Sequence, residues 1–246
     1  MSIPLLAFAV LFSVPVHAYD PADLAAGNGL YKKGDYQAAL EVYGKFAAAQ
    51  PGNPWAFYNM GNAWFRLDRN GLALLNYGKA FRLAPRDADI RANLEFAMKR
   101  SGQIFVPEGV PRALHYLYYF LSDRELSAAA AALWWLACAL LSVSFLRPAL
   151  RGKLGGLAAG CGLMLALSLL WLAARSSGPF SGAAVITAEG SVPLMSGPGH
   201  NFKTYAALPE ARLVKVLDDT DAAYYEVGIP SEGIKGWIRK TAVERI

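Results

Sequence analysis

The side chains able to do covalent or metal chemistry are few and poorly placed for it. Among 246 residues there are three histidines and two cysteines. Cys138 and Cys161 lie inside long apolar runs, so they form neither a disulfide framework nor a Cys-x-x-Cys site and read as small packing residues. His17 falls in an N-terminal apolar leader. His115 has too few acids nearby to build a metal set, and an anchoring place at a membrane interface suits it better. There is no nucleophile elbow, phosphate loop or Cys/His pair outside the apolar runs, so a non-enzyme without catalytic residues, metal or cofactor is expected. What remains is recognition. Asn28, Tyr31 and Lys32, then Tyr58, Asn62, Phe65 and Arg66, combine amides, aromatic rings and cations in a set suited to an extended peptide or a partner helix. Tyr224 and Trp237 form a second candidate ligand face, with Trp237 equally open to a core role.

These residues need a scaffold, and between residues 19 and 101 the chain repeats itself. A shift of 34 pairs Gly27 with Gly61, Asn28 with Asn62, Ala39 with Ala73, Leu40 with Leu74, Tyr43 with Tyr77 and Pro51 with Pro85. That period resembles the tetratricopeptide repeat, a helix–turn–helix unit. The glycines let helix A pack closely on helix B, and the prolines end helix B. The turn Lys33-Gly-Asp-Tyr36 keeps the usual glycine, whereas Leu67-Asp-Arg-Asn70 departs from it. Ile90, Leu94 and Met98 recur at a helical period and predict a helix over 87–100 that caps the stack. The resemblance implies a concave face lined by the A helices and carrying the seven residues of the first set, with protein partners. Relatives that clamp C-terminal carboxylates carry Lys where this chain has Leu24 and Tyr58, so that mode is not expected.

The middle of the chain is a membrane hairpin. Residues 126–146 and 154–174 contain no charged side chain, and about 21 helical residues span roughly 31 Å, the thickness of a bilayer's hydrocarbon core. Arg147, Arg151 and Lys153 in the turn 147–153 have no acid beside them, which predicts a cytoplasmic turn with both flanking domains on the other side. With no Asp, Glu, Lys, Arg or His inside either run, the hairpin reads as an anchor rather than a transporter. Gly152, Gly156 and Gly160 offer a close-packing stripe, first against the other helix of the hairpin and second for dimerisation. Residues 1–18 read as a signal, either cleaved after Val16-His17-Ala18 or kept as an anchor. The aromatic joint 102–125 suits the headgroup layer. The formal charge is +5 and the pI about 9.2, but the basic residues are scattered outside the turn, so no nucleic-acid partner is expected.

After a linker at 175–182, residues 183–246 change period. Short β-branched or aromatic segments at 184–187, 212–217, 223–229 and 234–238 are separated by Gly-, Pro- and Asp-rich turns. The order Val192-Pro-Leu-Met-Ser-Gly-Pro198, Tyr224-Tyr-Glu-Val227, Gly236-Trp-Ile238 and Ala242-Val-Glu-Arg-Ile246 resembles a bacterial SH3-type domain. The expected architecture is thus a multidomain membrane protein: an all-α tetratricopeptide-repeat domain, a two-helix transmembrane hairpin and a small all-β SH3-like barrel, the two modules tethered side by side as weak binders. That order of parts resembles the BatE family of the Bacteroides-aerotolerance type of operon. The resemblance implies a scaffold on the periplasmic side of a bacterial inner membrane, assisting complex assembly with von Willebrand factor A-domain proteins and a MoxR-type ATPase. The alternative is a cell-wall sensor or recruiter whose SH3-like domain takes a peptide or peptidoglycan ligand.

Overall fold

The computed structural model of the protein describes residues 24–176, 178, 180–229 and 232–246. The leader read as a signal, residues 1–18, lies outside them. Five helices come first: α1 (Ala25–Lys32), α2 (Tyr36–Ala49), α3 (Pro54–Arg66), α4 (Asn70–Leu83) and α5 (Ala88–Arg100), each packed on the next. The repeat shows in their contacts. A Cβ on Gly27 would stand 2.5 Å from the Tyr43 ring, and one on Gly61 would stand 2.6 Å from the Tyr77 ring. Each A helix can therefore lie against its B helix only through a glycine. Gly61→Ala should destabilise the repeat domain by about 1–3 kcal/mol through overpacking, against alanine's better helix propensity; urea denaturation followed by helical circular dichroism checks it.

The turns repeat as well. Gly34 takes φ +84°, and Asp68, at the equivalent place one repeat on, takes the left-handed region at φ +60°, which Asp tolerates better than most residues. Asn70 and Arg100 both donate to its carboxylate. Helix α5 starts one repeat length after α3, is capped by the Asp87 carboxylate and buries Ile90, Leu94, Ala97 and Met98. It is the A helix of a third unit without a B helix. Glu95 stands where Gly61 would recur, because no ring has to be accommodated there.

After the short α6 (Arg112–Tyr118), two long helices form a hairpin, α7 (Asp123–Leu146) and α8 (Arg151–Ser176), joined by a 3-10 turn at Pro148–Leu150. Both are long and apolar enough to cross a membrane, and only 17% and 6% of their most apolar stretches are buried within the protein. A soluble core helix would be covered. Among the sheltered positions, one row on α7 runs Leu126, Ala130, Leu133, Ala137, Leu140 and Ser144, with Cys138 beside it, and one row on α8 runs Leu154, Ala158, Cys161, Leu165, Ser168 and Leu172, with Gly155 and Trp171 beside it. Alternating steps of four and three make the 3.5-residue seam of left-handed helix packing. The expected packing of the glycine stripe within the hairpin is corrected here. Gly152, Gly156 and Gly160 have no atom within 4 Å of a built Cβ, because at ~100° per residue they fall on the side of α8 opposite the seam.

The C-terminal part is one antiparallel seven-stranded sheet, β1 (Ala183–Ile186), β2 (Ser191–Met195), β3 (Thr204–Pro209), β4 (Leu213–Asp218), β5 (Tyr224–Ile229), β6 (Ile234–Arg239) and β7 (Val243–Arg245), in the order β3-β2-β6-β5-β4-β1-β7. Alternation puts Val227, Ile229 and Ile238 in its core. Strand β1 breaks the alternation, all four residues being buried. Ala184 and Ile186 join the sheet core, while Val185 joins the cluster of Leu74, Leu75 and Phe81 from α4.

The two modules are therefore docked rather than tethered. Gly71 donates its N–H to the Glu210 carboxylate at 2.8 Å. That bond caps α4 from the other module, since Arg69 at the N-cap makes no cap bond. Arg69 instead donates to the Thr187 carbonyl and pairs with Glu189 at 3.0 Å. The Gln103 amide donates to the Ala211 carbonyl at 2.7 Å and accepts the Leu213 N–H at 2.8 Å. Arg82 donates to the Ile246 carbonyl. Glu210→Ala should cost ~0.5–2 kcal/mol, the usual value of a helix N-cap, and thermal unfolding of the purified protein measures it.

His115, read from the sequence as an interface anchor, sits buried at the hub of this joint. It is 6% exposed, with its ring centroid 4.8 Å from Phe105 and 4.9 Å from Tyr119, and those rings meet Phe81 and Phe180. Its Nδ1 is buried without a hydrogen-bond partner among the described residues. Burial pushes its pKa below the ordinary 6.5, opposed by the Glu95 carboxylate, itself paired with Arg112. The neutral ring fits the fold. As pH falls below about 6.5 the unfolded chain takes up a proton that the folded chain resists, so this residue's contribution is complete above that pH and is lost on acidification. Tm should drop between pH 7 and pH 5, and His115→Phe should flatten that part of the slope.

Candidate binding site in the repeat groove

The A helices carry one hydrogen-bond arrangement twice. Tyr43 donates its hydroxyl proton to the Asn28 carboxamide oxygen at 2.8 Å, and Tyr77 does the same to Asn62 at 2.8 Å. The next A helix adds a second donor in each case, Asn59 to Asn28 at 3.2 Å and Asn93 to Asn62 at 3.0 Å. Each oxygen is thus saturated from behind, which fixes the side-chain rotamer. Burial pushes the Tyr77 hydroxyl well above its ordinary range, so it stays a donor. The ladder preorganises amides along the A helices, beside a cleft.

Asn28, Tyr31, Lys32 and Asn62 line a cleft of about 190 Å³ together with Tyr43 and Asn59. Of the seven groove residues read from the sequence, these four are brought together. Tyr58 lies one step along, accepting from Asn93 at 3.2 Å and packing edge-on to Trp55. Phe65 and Arg66 do other work. The Phe65 ring meets Phe96 edge-on and lies under Arg100, while Arg66 stacks on Tyr36. Tyr43, Asn59, Tyr77 and Asn93 also belong to the site; the sequence marks Tyr43 and Tyr77 only as a repeat pair, and Asn59 and Asn93 obey the same spacing.

On the sheet, β5 and β6 place Tyr224 opposite Arg239 and Glu226 opposite Trp237, so Tyr224 and Trp237 share the outer face. Tyr224 is only 8% exposed, too covered to serve as a platform, and Trp237 is half-buried. The open rings are Phe202, 47% exposed, and Tyr205, 45% exposed, whose hydroxyl would lie 2.3 Å from a Cβ on Gly236. Gly236 makes room for that tyrosine. Phe202 and Tyr205 lie in a stretch without a clear strand signal in the sequence.

The groove geometry agrees with what comparison with known families finds. Residues 27–68 match the family model of the TPR repeat. This match runs from the first A helix into the turn before α4, so it includes the first Asn–Tyr pair and the second asparagine of the ladder. TPR repeats generally mediate protein–protein contacts, and this supports an adaptor role. No curated protein matches the chain.

Proposed function

We propose that the protein is a membrane-anchored, non-enzymatic adaptor of the BatE type, whose repeat groove grips a protein partner on the extracytoplasmic side of a bacterial inner membrane. The observation that carries this reading is the asparagine ladder, a row of oriented amides beside a cleft with one exposed cation, Lys32. Backbone amides of an extended segment or polar groups on a helix suit such a row, and the aromatic ring of Tyr31 supplies apolar contact. The hairpin's basic turn favours a cytoplasmic loop by the positive-inside rule. In the same reading the C-terminal sheet is an SH3-type barrel, which seven short antiparallel strands around one apolar core suit, and the partners are von Willebrand factor A-domain membrane proteins acting with a MoxR-type ATPase.

Docking changes the role of the second module. It buttresses the back of the groove through α4 instead of capturing a ligand at the end of a flexible tether. A second reading, recognition of a cell-wall peptide by the sheet, is favoured by the open rings of Phe202 and Tyr205. Purification of the full chain in mild detergent from its native membrane, followed by mass spectrometry, separates the two. Co-purification of a von Willebrand factor A-domain protein, lost in Tyr31→Ser/Lys32→Glu, supports the adaptor. Retention of wall peptides alone, lost in Tyr205→Ala, supports the sensor.

A further inference from the structure

The segment that enters the hairpin divides its side chains between two environments. His115 and Tyr119 point into the aromatic hub, whereas Leu114, Leu117 and Phe120 are 58%, 59% and 51% exposed. One exposed leucine is ordinary, but three large apolar side chains within seven residues, running straight into a membrane-length helix, are not.

Their depth can be read from two hydrogen bonds. The Trp171 indole donates to the Tyr118 carbonyl at 3.1 Å, and the Arg175 guanidinium donates to the Leu121 carbonyl. Trp171 lies five residues before the end of α8, about 7.5 Å along a helix rising 1.5 Å per residue. The chain at 118–121 is therefore level with the last turn and a half of α8 rather than above it. Tryptophan is favoured at the headgroup level. The cations beside this edge are placed to match: Arg86 stacks on Phe120 at 5.3 Å and pairs with Glu125, while Arg112 pairs with Glu95. Their charged ends can stay at the phosphates while the rings and leucines go deeper.

We infer that α6 and the turn after it form an interfacial foot, with Leu114, Leu117 and Phe120 inserted into the outer edge of the lipid leaflet that the hairpin crosses. The inference rests on the membrane reading of α7 and α8. Its consequence is orientation. Helix α5 is tied to α6 by Arg112–Glu95 and by Arg91 stacked on Tyr116 at 4.4 Å, so a foot in the leaflet holds the repeat groove at a set tilt to the membrane.

The test is site-directed spin labelling in phospholipid vesicles, on a background with Cys138→Ala and Cys161→Ala. Labels go at Leu117→Cys, at Leu141→Cys on the open face of α7, and at Lys33→Cys in the first repeat's turn. Collisions with oxygen report lipid, and collisions with a water-soluble nickel chelate report water. The expected result is an oxygen-to-chelate ratio at Leu117 several-fold above that at Lys33 and on the same side as Leu141. A Leu117 label as accessible to chelate as Lys33, with Leu141 still in lipid, overturns the foot and leaves the anchor standing. A Leu117 label sheltered from both reagents, as under a protein, also overturns it. A chelate-accessible Leu141 overturns the membrane reading and the foot together.

Discussion

Gly71→Ala should loosen the docked repeat and sheet modules, whereas Gly29→Ala should stabilise the repeat module slightly. Both glycines lie in helices, where alanine is favoured by about 0.5–1 kcal/mol. Nothing stands within 4 Å of a Cβ on Gly29, but one on Gly71 would be 2.4 Å from the Ile186 carbonyl oxygen and 3.1 Å from the Thr187 Cα. These are backbone atoms of β1 and its extension, and no rotamer change can move them aside. The docked faces must separate, which strains the Gly71–Glu210 bond, the Arg69–Thr187 bond and the packing of Val185 on α4. The loss should be roughly 1–3 kcal/mol for overpacking alone. Hydrogen exchange at the start of α4, and protease cleavage between α8 and β1, should both rise. A Gly71→Ala protein as stable and protected as Gly29→Ala would contradict the docking.

The second large effect is at Asn62. Its oxygen accepts from Tyr77, which is 3% exposed, and from Asn93. Asn62→Leu leaves that buried hydroxyl without its acceptor, at a cost of about 1–3 kcal/mol. Adding Tyr77→Phe removes the orphaned group, so the double variant should be more stable than Asn62→Leu alone, a non-additivity expected of directly bonded groups. Partner binding should not return with the stability, because the oriented amide is still missing. Urea denaturation and a binding assay on both variants distinguish the structural task of Asn62 from its recognition task. Binding restored in the double variant would mean the amide serves only to hold the fold.

The repeat domain was legible because its rule is local and periodic. Gly27 with Tyr43 and Gly61 with Tyr77 announce a close helix crossing through identity at fixed spacing, and Asp87 with Ile90, Leu94 and Met98 marks the start and buried side of α5. Other features depend on what lies across space. Gly152, Gly156 and Gly160 suggested packing by composition, yet the seam follows the larger residues at a 3.5 period, which the four-residue spacing of the glycines cannot follow. The run 184–187 read as a strand, which the structure sets at Ala183–Ile186, but not as one buried on both faces, since α4, about a hundred residues earlier, covers its second face. Pro193 disguised β2, because proline is rare inside strands. His115 gave no sequence sign of burial, because the rings of Phe105, Phe81 and Phe180 that close the hub over it come from outside its own helix.

The most direct test of the groove as the working surface is photocrosslinking in the native membrane, with a photoreactive amino acid at Tyr31 in one protein and at Tyr205 in another. The expected result is a discrete protein adduct at position 31, identified by mass spectrometry as a von Willebrand factor A-domain membrane protein and abolished by Asn62→Leu. Adducts formed only at position 205, and made of cell-wall peptide, would contradict the adaptor and make the sheet the working surface.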